Sequence, residues 1–113
     1  MDNGRSILHI NFDTDKATLK QDGKEIVQEI VKALQNKADL KIAINGYTDN
    51  SGSKAHNLLL SKERAKTIQN EIVKAGIAKD RLTAEGFGQD HPISDNTNED
   101  GKAKNRRVEL LKL

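Results

Sequence analysis

LKIAINGYTDNSGSKAHNLLLSKERAKTIQNEIVKA, residues 40–75, decides the reading of the fold. Leu40, Ile42 and Ile44 alternate with Lys41, Ala43 and Asn45, the period of two that a half-buried strand requires. Gly46 and the polar run Thr48-Asp49-Asn50-Ser51-Gly52 then break the strand into a short loop rich in hydrogen-bonding groups. From near Asn57 to Ala75 the period changes: Leu60, Ala65, Ile68 and Ile72 fall on one helical stripe, and Gly76 supplies a C-terminal stop.

The same two periods recur outward from this segment. Residues Ile7 to Phe12 place Leu8, Ile10 and Phe12 on one face and His9 and Asn11 on the other, a first strand. Between Lys20 and Gln35, Ile26, Val27, Ile30, Val31 and Leu34 recur at helical spacing among Lys, Glu and Gln. A third strand is expected around Arg81 to Phe87, then a polar loop through Pro92 to Lys104. In the fourth strand Arg106, Val108 and Leu110 alternate with Arg107, Glu109 and Leu111. The order β-α-β-α-β-β predicts an α+β fold. Two helices cover one face of a four-stranded mixed sheet, giving a two-layer sandwich with some parallel pairing. One domain over 7–113 is expected, with 1–6 a polar leader.

Composition narrows the function classes. With 113 residues the chain can bury one real core, and with two Phe, one Tyr and no Trp that core must be aliphatic. The 19 Lys+Arg nearly balance 17 Asp+Glu, which gives none of the basic footprint that a nucleic-acid binder needs. Absence of cysteine excludes disulfides and Cys-based zinc sites. His9, His56 and His91 are too scattered to suggest a metal site. Residues 96–101 open like a calcium loop, but Asn96 stands at its first position and Arg107 where a bidentate Glu is needed. No stretch approaches the roughly 20 apolar residues of a membrane span. No cofactor is expected.

Gly46-Tyr47-Thr48-Asp49, followed by Asn57-Leu58-Leu59-Leu60-Ser61-Lys62-Glu63-Arg64-Ala65, resembles the signature of OmpA-like C-terminal domains. Phe12-Asp13, Glu85-Gly86-Phe87-Gly88 and Asn105-Arg106-Arg107-Val108-Glu109 resemble further segments of that family, so the likeness runs through nearly all of the chain after Ser6. The family includes outer-membrane protein C-terminal domains, peptidoglycan-associated lipoproteins and flagellar stator proteins. The resemblance implies a non-catalytic domain of a larger envelope protein, exported to the periplasm, that grips the diaminopimelate of peptidoglycan stem peptides. It implies Asp49 and Arg64 as the clamp, with Thr48, Asn57, Leu60, Phe12 and Asp13 around the ligand and Asn105 and Arg106 in secondary roles. The chemistry is apt, because diaminopimelate ends in an ammonium and a carboxylate on one carbon, and a guanidinium forks onto a carboxylate where a lysine offers a point charge.

Plainer readings stand beside these. Asp49 suits an Asx turn, Asn57 an N-cap, Phe12 a core position, and Arg106 a structural brace needing a carbonyl or carboxylate partner. Two rival functions follow: a cell-wall hydrolase pairing Asp49 with Glu63 or Glu85, and a protein–protein interaction domain of the same fold whose ligand pocket no longer functions.

Overall fold

Ile42–Tyr47 forms an interior strand of the sheet, as its alternation predicts, in a computed structural model that describes residues 5–10, 12 and 16–113. The elements in chain order are β1 (Arg5–Leu8), α1 (Gln21–Asn36), β2 (Ile42–Tyr47), α2 (Lys54–Lys74), β3 (Leu82–Gly88), α3 (Glu99–Asn105) and β4 (Arg107–Lys112). A single turn of 3-10 helix, Lys79–Arg81, leads into β3. The sheet order is β1-β4-β2-β3, with β2 and β3 parallel and β4 antiparallel to both β1 and β2. The expected two-layer α+β architecture with a mixed four-stranded sheet is what the chain adopts.

One buried aliphatic cluster holds the layers together: Val27, Ile30, Val31 and Leu34 of α1, Ala65, Ile68 and Ile72 of α2, and Ile42, Ile44, Val108 and Leu110 from the sheet. Side chains of this size contribute roughly 1.5–3 kcal/mol each when fully removed from water. Helix α2 sits on the sheet at backbone contact distance, because Gly46 and Gly86 present no Cβ where Ser61 and Lys62 pass over them. Ser61 uses this proximity: its hydroxyl donates to the Leu58 carbonyl (2.9 Å) and accepts the Gly88 N–H (2.8 Å), stitching helix to strand.

The helix ends explain several boundaries. Ser53 caps α2, its hydroxyl accepting the His56 N–H at 3.1 Å, so Asn57 lies inside the first turns and is not the N-cap. At the other end Gly76, at φ +103°, and Ile77 donate to the Val73 and Ile72 carbonyls (2.9 and 3.4 Å), and Ile77 buries its side chain, the Schellman arrangement. Helix α1 has no basic residue in its last turn. Arg81 serves instead, donating to the carbonyls of Leu34 (2.8 Å), Lys37 (2.7 Å) and Leu40 (3.1 Å).

Three features differ from the sequence reading. The first strand begins at Arg5, inside the stretch read as a leader, and ends at Leu8; Ile10 is buried in the core and Phe12 makes only an isolated bridge to Leu19. The segment expected as a continuous polar loop contains α3, started by Asn98, whose side chain accepts the Gly101 N–H at 2.7 Å. Arg106 is the C-cap of α3, and β4 begins one residue later.

The face of the sheet without helices still carries buried charge. Arg107 and Glu109, 3% and 4% exposed, pair at 2.7 Å, and Arg5 reaches the same carboxylate at 2.9 Å. Arg107 also donates to the carbonyls of Asn105 and His91 and lies 3.9 Å over the Tyr47 ring. A buried ion pair is tolerable when its remaining donors are satisfied in this way.

Candidate functional site

The C-terminal ends of β2 and β3, the start of α2 and the approach to β4 meet at one end of the sheet. The loop after β2 is fixed there by its own polar groups. Thr48 donates its N–H to the Gly88 carbonyl (2.7 Å) and its hydroxyl to the Asp49 carbonyl (2.7 Å). Asn57 reaches across with its side-chain amide to the Ser51 carbonyl (2.8 Å), the Gln89 side-chain oxygen (3.2 Å) and the Asp49 carbonyl (3.4 Å). Thr48 and Asn57 therefore shape the loop that presents Asp49.

Asp49 is 7% exposed, yet both carboxylate oxygens are engaged. One accepts the Ser51 N–H at 2.8 Å, the Asx turn that a loop aspartate favours. The other accepts Arg106 Nη1 at 2.7 Å. Burial alone would raise the Asp49 pKa, but the Ser51 N–H and the Arg106 guanidinium outweigh it and hold the carboxyl below its ordinary value of 3.8. A carboxylate held this way stays charged at neutral pH, which suits recognition of a cation and not proton donation. Arg106 turns its other arm to Glu99 at 2.6 Å, and that bond, with Asp49, raises its own pKa against partial burial.

The depressed pKa sets a pH dependence. Because the unfolded carboxyl binds a proton more readily than the folded one, the contribution of Asp49 to stability is fully present above about pH 4 and is lost as the pH falls through the folded value. In urea unfolding, the stability gap between wild type and Asp49→Asn is expected to be constant at neutral pH and to narrow below about pH 4.

Arg64 stands half-buried on α2. Its Nε donates to the Lys16 carbonyl at 2.9 Å, and its guanidinium carbon lies 4.9 Å from the centre of the Phe12 ring. Phe12 thus supports Arg64 from outside the strand in which it was expected. Arg64, Arg106, Phe12, Gly46, Ser61 and Val108 wall one cleft of about 20 Å³. That is room for little more than a water molecule. Asp49 reaches the cleft through Arg106 and does not wall it. Leu60 is buried away from the wall, and Asp13 lies outside the described residues.

Arg106 is the residue whose part was least visible in sequence: expected as a brace seeking a carboxylate, it finds two and joins the predicted acid to the cleft of the predicted base. Its 57-residue separation from Asp49 leaves no periodic signal. Asn105 is fully buried and binds the loop before α3. Neither rival carboxylate joins Asp49: Glu63 and Glu85 are both exposed, on α2 and β3 respectively. Larger hollows, about 440 Å³ beside Tyr47 on the uncovered face and about 190 Å³ between β1 and α1, contain neither Asp49 nor Arg64.

Comparison with known proteins bears on the family and the fold. The sequence model of the OmpA family matches residues 11–106. Peptidoglycan-binding protein ArfA of Mycobacterium tuberculosis is 40% identical over 102 residues, covering 90% of this chain and 31% of that protein. Outer membrane protein A of Bordetella avium is 41% identical over 101 residues, 88% of this chain and 51% of its own length. The chain thus spans about a third to a half of these relatives. A MotB-like protein from Desulfovibrio vulgaris superposes with a TM-score of 0.86 at 26% identity, covering 99% of this chain and 75% of that one. The peptidoglycan-associated lipoprotein from Burkholderia pseudomallei has the same fold, with a TM-score of 0.82 at 23% identity over 95% and 89% of the two chains. With most of its length matched by the family and its fold shared with these structures, the chain belongs to the OmpA family.

Proposed function

We propose that this domain binds peptidoglycan non-covalently and anchors a larger envelope protein to the cell wall, gripping the diaminopimelate of a stem peptide at the end of the sheet. Asp49 takes the ligand's ammonium and Arg64 its carboxylate. The observation that carries the reading is that Arg106, 2.7 Å from the charged Asp49, lines the same cleft as Arg64 and so links the acid to the cleft of the base. The relative named for peptidoglycan binding supports the wall polymer as the ligand class, and the zwitterionic carbon of diaminopimelate matches the pair in charge. A periplasmic position of the domain follows from that ligand.

The wild-type domain is expected to sediment with purified sacculi and to release no muropeptides from them. Each charge-assisted bond is worth roughly 1.5–3 kcal/mol, so Asp49→Ala and Arg64→Ala should each weaken binding by about tenfold to a hundredfold. If both variants sediment like wild type, the site is misassigned. Titration with free diaminopimelate should move backbone NMR signals between residues 48 and 64.

A further inference from the structure

We infer that the hollow of about 440 Å³ on the uncovered face of the sheet is a second binding site, which takes an uncharged secondary amide carrying a small apolar group through the side chains of Asn45 and Tyr47. Tyr47 and Arg107 border both this hollow and the Arg64 cleft, but the hollow contains neither Asp49 nor Arg64, so the inference does not depend on the stem-peptide reading.

The hollow is built from fixed parts. Asn45 and Tyr47 of β2 lie on one face by alternation, with Glu109 and Arg107 of β4 opposite them in register. The loop at 91–93 forms the wall: the His91 carbonyl accepts from Arg107 at 2.9 Å, and the Ile93 N–H donates to the buried Asn105 side chain at 2.8 Å. Asn45 is 9% exposed, yet its side-chain amide makes no hydrogen bond among the described residues. No side-chain nitrogen or oxygen among those residues is sealed off without a partner, so the Asn45 amide opens into the hollow that it lines. A carboxamide this buried ordinarily has a partner, and here the partner must come from the hollow.

The surrounding charges are spent on one another. Both Glu109 oxygens are held, by Arg5 at 2.9 and 3.0 Å and by Arg107 at 2.7 Å. The remaining Arg107 nitrogens serve the Asn105 and His91 carbonyls, and the exposed Glu85, opposite Asn45 on β3, offsets the second arginine. The floor therefore favours an uncharged group. Arg107 covers the Tyr47 ring from the β4 side at 3.9 Å and Phe87 stacks on it from the β3 side at 5.3 Å, which leaves the ring edge and hydroxyl for a ligand. Burial and Glu109 push the Tyr47 pKa up, so that hydroxyl keeps its proton at neutral pH. Asn45 and Tyr47 can each donate and accept, which matches the carbonyl and N–H of an amide. Pro92, Leu111 and the 44% exposed Ile93 provide apolar contact for the amide's substituent.

The test is NMR titration of the whole chain with N-acetylglucosamine and N-acetylalanine amide, against glucose and acetate, which lack the amide. At least one amide probe should shift the Asn45 side-chain signals and the backbone signals of Ile93, with a Kd on the order of 1–10 mM, the scale of a small fragment. Glucose and acetate should bind at least about tenfold more weakly. Response to the sugar alone assigns an amino sugar, to the peptide alone a peptide group, and to both the amide itself. Asn45→Ala should weaken binding about tenfold or more while the melting temperature holds or rises, because no partner within the chain is lost. A structural Asn45 would lower it. Ile93→Ala, at an exposed position, should weaken binding roughly threefold to tenfold and decides the matter if Asn45→Ala does not fold. No shift from either amide probe, equal binding of acetate or glucose, or unchanged affinity in the folded variants overturns the inference and leaves the Asp49 and Arg64 reading to its own sedimentation test.

Discussion

Asn105→Ala is expected to cost roughly 3–4 kcal/mol of stability, lowering the melting temperature by roughly 10–20 °C. The Asn105 side chain is 0% exposed and fully used. Its oxygen accepts the N–H groups of Ile93 (2.8 Å) and Ser94 (2.9 Å), and its amide donates to the Ser94 carbonyl (2.9 Å) and the Asn96 side chain (2.7 Å). Alanine removes all of these partners at once, and the backbone groups left without them sit where water enters poorly, each costing about 1–3 kcal/mol. Asp at this position keeps the acceptors, loses the donors and buries a charge, so it offers no rescue. Urea unfolding measures the loss; a cost below about 1 kcal/mol would mean that something other than Asn105 holds residues 93–96. The same change should also displace Arg106, the C-cap of α3 that pairs with Asp49.

Gly86→Ala is expected to cost about 3 kcal/mol or more, for a different reason. A Cβ at this position would run into the Lys62 backbone nitrogen and come within 2.6 Å of both the Lys62 Cα and the Ser61 hydroxyl. The obstacle is helix backbone, so no side chain can rotate aside; α2 must lift off β3. Gly76 is the control. A Cβ there meets nothing within 4 Å, and only its φ of +103° resists substitution, so Gly76→Ala should cost no more than about 1–2 kcal/mol. Equal losses from the two substitutions would show that close approach of α2 to the sheet is not what demands glycine at position 86.

The layers were legible in the sequence because amphipathic periodicity reports burial directly. Ile42 and Ile44, Val27 through Leu34, and Ile68 and Ile72 all lie in the core where their spacing puts them. Helix α3 was illegible for the complementary reason: residues 99–105, EDGKAKN, carry no apolar stripe. The helix forms because Asn98 starts it and Asn105 buries its end, and neither is a hydrophobic signal. Asn57 suits an N-cap in sequence, but Ser53, one turn earlier, is the residue whose hydroxyl accepts the His56 N–H.

For the candidate site, sequence brought Asp49 and Arg64 forward through resemblance and charge chemistry. The structure adds what no local window contains: Arg106 joining Asp49 to the cleft, and the Phe12 ring and Lys16 carbonyl holding Arg64. These contacts depend on tertiary closure, as does the grip of Arg81 on the end of α1.

The sheet order has a consequence for how this sequence must be born. β4 comes after every other strand in the chain, yet it lies between β1 and β2. A ribosome or an export pore delivers β1 through β3 first. Until residues 107–112 emerge, β1 has no neighbour in the sheet and β2 has one raw edge, a template for pairing with the wrong chain. The nascent domain thus waits with its central slot open and is completed late, by the strand that follows Arg106. A premature stop before residue 107 would yield no smaller domain, only two separated parts of a sheet.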